Sequence, residues 1–213
     1  MIIDFYEIIK KEKIEPKGVI HIGAHIGQEL VTYEKCGFKD VLMIEANPTI
    51  FDSLVTIKSD ICDLIFLNVA VSDQKGVFDF NITSNGRGGG EMSSSLLKLK
   101  RHKQLYPNIR QVKTISVNTD LIDNILRSSN LSNKNYNMMN LDIQGAELMA
   151  LKGSIKTLKN IDIINTEINK TELYEDCVLL DELEKFLFDQ GFYKHSENYK
   201  YSPEWGDAIF LKK

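Results

Sequence analysis

Apolar positions along the chain follow two alternating rhythms. Short β-branched or aliphatic runs at residues 19–22, 41–45, 64–71, 137–142 and 161–167 have the length and composition of buried strands. Between them, apolar residues at helical spacing predict helices over 28–36, 48–58, 120–127, 147–159 and 178–190. Leu148, Leu151, Ile155 and Leu158 give the fourth of these a single apolar stripe. Pro48 stands just inside a helix start and Gly37 just past a helix end, as capping asymmetry favours. Strand and helix in turn build βαβ units, so the expected fold is α/β, with a mostly parallel, doubly wound sheet and helices on both faces. Ile2, Phe5, Ile8 and Ile9 add an amphipathic helix before Pro16, and 192–195 with 208–211 form a closing hairpin.

The rhythm breaks once. Residues 77–82 pair with 115–117, and the intervening 83–95 hold Gly86, Gly88, Gly89 and Gly90 and then Ser93, Ser94 and Ser95, the composition of a mobile inserted loop. The expected organisation is an N-terminal helix over 1–17 and one domain over 18–213 that carries this loop. Composition narrows the partners. With 213 residues, 43% hydrophobic, 26% charged and a net charge of -4, the chain has the make-up of a globular protein with a sizeable core and lacks the basic excess of a nucleic-acid binder. Asp4, Glu7, Lys10 and Lys11 interrupt the first apolar stretch, which predicts neither membrane insertion nor a signal peptide, and hence a cytoplasmic protein. Cys36, Cys62 and Cys177 are odd in number and far apart, as reduced thiols are.

The chemistry belongs at the carboxyl ends of the strands. The first strand leads into Gly23, Ala24, His25 and Gly27, the second into Glu45 and Asn47, a later one into Asp142 and Gln144, and the next into Glu167. Glycines let backbone approach a ligand, and a carboxylate 22 residues beyond Gly23 is placed to take both protons of a ribose diol. A dinucleotide site wants Gly-x-Gly-x-x-Gly, whereas Gly23 and Gly27 are four apart, and there is no phosphate loop. That pattern suits a nucleoside without phosphates, of which S-adenosylmethionine is the common one.

Six segments carry a resemblance. They are Ile-Gly-Ala-His-Ile-Gly at 22–27, Glu-Ala-Asn-Pro at 45–48, Asn-Val-Ala-Val-Ser-Asp at 68–73, Ser-Ser-Leu at 94–96, Leu-Asp-Ile-Gln-Gly-Ala-Glu at 141–147 and Gly-Asp-Ala-Ile-Phe at 206–210. Together they make the chain similar to the FkbM family of S-adenosylmethionine-dependent methyltransferases from about residue 18 onward. The resemblance implies a Rossmann-like class I fold with a seven-stranded sheet and an antiparallel last strand, and O-methyl transfer to a hydroxyl of a sugar, glycan or related small molecule. It adds Ala46, Asn68 and Ala70 to the expected cofactor contacts. One departure is His21, at a position where many class I enzymes carry an acid, and a histidine inside a strand is expected to be packed.

Methyl transfer from a sulfonium needs alignment and a place for the hydroxyl proton, for which Asp142 is the first candidate and His25 the second. Ser94, Ser95, Gln144 and Glu167 are expected on the acceptor side. Asp142 and Glu167 end neighbouring strands, so they either share a magnesium ion or cap helices and bind a polyol. Glu147, at a helix start, is expected to cap it. Arg87 is a partner for an anionic acceptor group. Tyr174, Tyr201 and Trp205 form either a stacking rim or core, and His102 and His195 belong to surface or core. Two other functions fit the bend and the acid: a nicotinamide-dependent oxidoreductase, against which stand the absent third glycine and the lack of a hydride-site pair, since the one Tyr-x-x-x-Lys spacing, Tyr6 to Lys10, falls in the N-terminal helix, and a non-catalytic nucleoside-binding domain.

Overall fold

The computed structural model describes residues 4–213. Helix α1 (Phe5–Lys11) starts at Asp4, whose carboxylate accepts from the Tyr6 N–H; the expected start at Ile2 lies outside the described residues. Strand β1 (Gly18–Ile22) and helix α2 (Leu30–Cys36) follow, then β2 (Asp40–Ile44) and α3 (Pro48–Leu54), capped by the Asn47 side chain on the Thr49 N–H. The stretch 64–71, expected as one strand, is two: β3 (Asp63–Leu67) and β4 (Ala70–Val71). At the break, the Asn68 amide donates to the backbone carbonyls of Glu45 and Ala46, and the chain leaves its first sheet for a second. The chain continues through β5 (Gly76–Ser84), α4 (His102–Leu105), β6 (Arg110–Asp120), α5 (Ile122–Ser128), β7 (Met138–Leu141) and α6 (Glu147–Lys152), and closes with β8 (Ile163–Asn169), α7 (Leu180–Asp189), β9 (Phe192–Asn198) and β10 (Trp205–Lys212).

Seven strands form the main sheet in the order β3-β2-β1-β7-β8-β10-β9. β10 runs antiparallel to β8 and β9, and the pairs from β3 to β8 are parallel. Period-two alternation divides each central strand between two cores. Val19, Val41, Met43, Met138 and Ile163 face α1, α2 and α3, while Ile20, Ile22, Leu42, Ile44, Leu141 and Ile164 face α5, α6 and α7. Helix α7 turns Leu180, Leu183 and Leu187 into the second core; truncating either of the last two to alanine costs about 2–5 kcal/mol. On the first face the core is not wholly apolar: Asn165 donates to Asn140, which donates to the Tyr33 hydroxyl at 2.6 Å, while Asn165 Oδ1 has no partner among the described residues.

The smaller sheet, in the order β4-β6-β5, is a long antiparallel ribbon joined to β4. The segment expected as loop from 83 to 95 is shorter than that. Thr83 and Ser84 still belong to β5, Glu91–Ser93 make one 3-10 turn, and Ser95 pairs with Asn81. The helix expected over 147–159 stops at Gly153, where a β-carbon would stand 2.3 Å from the Ser72 carbonyl; the chain resumes as a 3-10 turn at Thr157–Asn160. Cys36, Cys62 and Cys177 are unpaired. Among the described residues no helix is long and apolar enough to cross a membrane.

Candidate active site

β1 ends against β7, and the bend beyond it is set by Gly23. Its φ is +81, and a β-carbon there would lie 2.0 Å from the Asp142 carbonyl oxygen, so only glycine lets the bend press on the neighbouring strand end. The Gly23 and Ala24 N–H groups donate to the Ile44 carbonyl, which fixes the bend relative to β2. Glu45 follows β2 directly and is 7% exposed. One of its oxygens accepts from the His25 N–H at 2.9 Å and the other from the Asn47 N–H at 2.8 Å. Burial raises its pKa, and these backbone donors pull it back. Each oxygen keeps acceptor capacity for a ligand, and Glu45 lines the adjoining cavity, so the carboxylate is held ready for a vicinal diol.

That cavity, about 560 Å³, lies beyond the carboxyl edge of the central strands. Gly23, His25, Glu45, Ala46, Asn47, Ala70, Asp142, Gln144, Glu167 and Ser94 stand on its wall. Ala24, Gly27, Asn68 and Ser95 stand behind it. Gly27 backs onto Ile57 and Leu54, Asn68 holds the Glu45 backbone, and the Ser95 hydroxyl donates to the Gln144 carbonyl at 2.8 Å. The hydroxyl of Ser94 accepts from the Thr83 N–H. Both ring nitrogens of His25 are buried without a partner among the described residues.

Acids gather at one end of the cavity. Glu29 and Asp207 line it beside Asp142 and Glu167, and neither is among the expected site residues: Asp207 reaches the site by pairing with Glu167 across β10 and β8. Burial first, then the nearby Glu147, Asp142 and Asp207, push the Glu167 pKa well above the usual carboxylate range. Glu147 is fully buried, accepts from the Ile143 and Gly145 N–H groups, and is raised mainly by burial. Its role is to hold the loop that carries Gln144. The expectation of a shared magnesium ion does not fit this donor set. The Gln144 amide nitrogen stands between the carboxylates, donating to Asp142 at 2.9 Å and to Glu167 at 2.8 Å, so the place of a bridging cation is taken by an N–H donor. Among the described residues no group of three or more His, Cys, Asp or Glu side chains has the arrangement to hold a metal.

Aromatic side chains line the same cavity. His102, expected at surface or core, is 4% exposed and lines the cavity, with Nε2 3.1 Å from the Ser93 hydroxyl and its ring packed on Tyr106 and Tyr174. Burial lowers its pKa. Trp205 donates to the Tyr106 hydroxyl at 2.9 Å and stacks on Tyr201, and all three line the wall, whereas Tyr174 lies behind it. His195 is remote and pairs with Glu12. His21 lines the floor, edge-on to Tyr33; burial takes its pKa down to about 3, so the position is neutral here.

A carboxylate fixed at the end of β2, acids on the same cavity wall and the lack of a phosphate loop suit a nucleoside with a cationic tail. Residues 21–194 match the Methyltransferase FkbM domain, and the chain belongs to that family. The 2-O-methyltransferase NoeI of Sinorhizobium fredii is 34% identical over 110 residues, a match covering 50% of this chain and 44% of that protein, so the chain spans less than half of the relative's length. Magnesium protoporphyrin IX methyltransferase from Synechocystis with bound S-adenosylmethionine shares the fold at a TM-score of 0.54 and 9% identity, over 99% of this chain and 77% of that one. A methyltransferase from Clostridium acetobutylicum does so at 0.53 and 8%, over 98% and 89%.

Proposed function

We propose that the protein transfers the methyl group of S-adenosylmethionine to a hydroxyl of a sugar, glycan or related small polyol, and that residues 18–213 act as one catalytic domain behind the segment that carries α1. The observation that carries this reading is one cavity lined by unlike groups: the Glu45 carboxylate, the acids Asp142 and Glu167, the aromatic rings of Tyr106, Tyr201 and Trp205, and the Ser94 hydroxyl. Gly23, His25, Ala46, Asn47 and Ala70 surround the adenosine, with Ala24, Gly27 and Asn68 holding their backbone. Glu45 takes the ribose hydroxyls, and Asp142 stands at the reacting edge. Trp205 and Tyr201 offer flat faces to the apolar side of a sugar ring, and Ser94, Gln144 and Glu167 offer polar groups to its hydroxyls. The NoeI relative supports transfer to oxygen.

The sulfonium, when bound, supplies a methyl already activated for displacement. The chain must then align the acceptor oxygen with that carbon and take up the hydroxyl proton. Asp142 has one carboxylate oxygen tied to Gln144 and lines the cavity, so it is the acceptor of that proton. His25, with unpartnered ring nitrogens on the same wall, is the alternative base. Replacing Asp142 by asparagine should weaken S-adenosylmethionine binding by about tenfold at most and cut transfer by about 10²–10⁴. The test is transfer of a labelled methyl to a panel of monosaccharides, nucleotide sugars and oligosaccharides. A label found on nitrogen, sulfur or carbon and never on a hydroxyl would overturn the reading.

A further inference from the structure

Behind the wall, one buried hydroxyl controls which way an active-site amide points. Tyr174 is fully buried and does not line the cavity. Its hydroxyl lies 2.5 Å from Gln144 Oε1 and 3.4 Å from the Ser93 carbonyl. Burial raises its pKa well above 10, so the hydroxyl keeps its proton and donates it over the shorter contact. A glutamine amide can be turned end for end with little change in shape. With Oε1 bound to Tyr174, the nitrogen faces Asp142 and Glu167 and donates to both; turned over, the amide would present its carbonyl to two carboxyl groups.

The surroundings are built to hold this arrangement. Gln144 has a φ of +58, uncommon for a side chain of its size, which aims it back under the loop. A β-carbon on Gly145 would stand 2.8 Å from that of Cys177 and 3.1 Å from the Tyr174 ring, so glycine is what lets the tyrosine come so close. Tyr174 pairs through its backbone with Leu99 and packs with Leu173 and Cys177.

We infer that Tyr174 is a positioning residue for the methyl-transfer edge: its hydroxyl fixes the Gln144 amide, which in turn holds Asp142 and Glu167 in register. The inference rests on the proposed place of Asp142 at that edge. The side chain acts through Gln144 and touches no ligand, in contrast to the stacking rim that an aromatic at this place suggests.

Tyr174→Phe removes the oxygen and keeps the ring. In ligand-free protein, the side-chain amide signals of Gln144, assigned by their loss in Gln144→Asn, should shift and exchange faster with solvent in Tyr174→Phe. Asparagine tolerates the positive φ and is too short to span the three partners. S-adenosylmethionine affinity, measured by calorimetry, should fall about three- to tenfold in either variant, the value of one neutral hydrogen bond, and no further in the double variant. Melting temperature is the control for packing. Unchanged Gln144 amide signals in Tyr174→Phe, or affinity losses that simply add, would overturn the inference. If the wild-type protein binds no S-adenosylmethionine, the proposed function falls instead, and the amide signals still decide the role of Tyr174.

Discussion

In the proposed function, cofactor recognition turns on Glu45. Its two oxygens are already committed to two backbone donors, so the side chain cannot swing away without leaving those N–H groups unsatisfied. Glu45→Gln sets an amide group against one of these donors and removes the charge. We expect S-adenosylmethionine to bind about 10- to 100-fold more weakly by calorimetry, as the loss of a charge-assisted bond implies. His21 makes a second prediction. Its pKa drops from the usual 6.5 to about 3 on burial, so the unfolded chain takes up a proton in that window and the folded one does not. Its contribution is complete above pH 6.5 and is lost as pH falls toward 3, with a limiting slope of about 1.4 kcal/mol per pH unit. The stability advantage of His21→Leu over wild type should therefore widen on acidification, and parallel melting profiles would refute this. Gly23 and Glu45 were legible because each lies in a short contiguous motif. Glu29 and His102 carry no signal of their own, and Asp207, although inside Gly-Asp-Ala-Ile-Phe, reaches the site only through the pairing of β10 with β8.

Elements were legible wherever local pattern and tertiary contact agree. Of the expected stripe, Leu148, Leu151 and Leu158 are buried and Ile155 is exposed, because the helix breaks at Gly153 where the Ser72 backbone crosses, a contact that no local pattern contains. The run from 64 to 71 is uniformly strand-like in composition, and the two amide bonds of Asn68 divide it between two sheets. The glycines allow a paired test. In Gly23→Ala the added carbon meets the Asp142 carbonyl at 2.0 Å, so we expect a loss of about 3 kcal/mol or more in denaturant unfolding, together with loss of cofactor binding. Gly37→Ala has a similar positive φ with nothing within 4 Å, and should lose only about 1 kcal/mol.

For the whole molecule, strand-helix alternation was enough to foresee a doubly wound sheet, whereas the second sheet depends on the partner of β4, which composition does not reveal. Cofactor binding should act on the molecule as a unit. S-adenosylmethionine at one hundred times its dissociation constant should add about 2.7 kcal/mol of stability to the wild type, and at that same concentration much less to Glu45→Gln, read as a difference in melting temperature. The order of the last strands has a consequence for synthesis. β9 touches the main sheet only through β10, which inserts between it and β8. A nascent chain that has emerged only as far as residue 198 therefore carries a strand with no edge to join, and β8 has one side open. Both gaps close together once residues 205–212 leave the ribosome, and their emergence is the event that completes the sheet during translation.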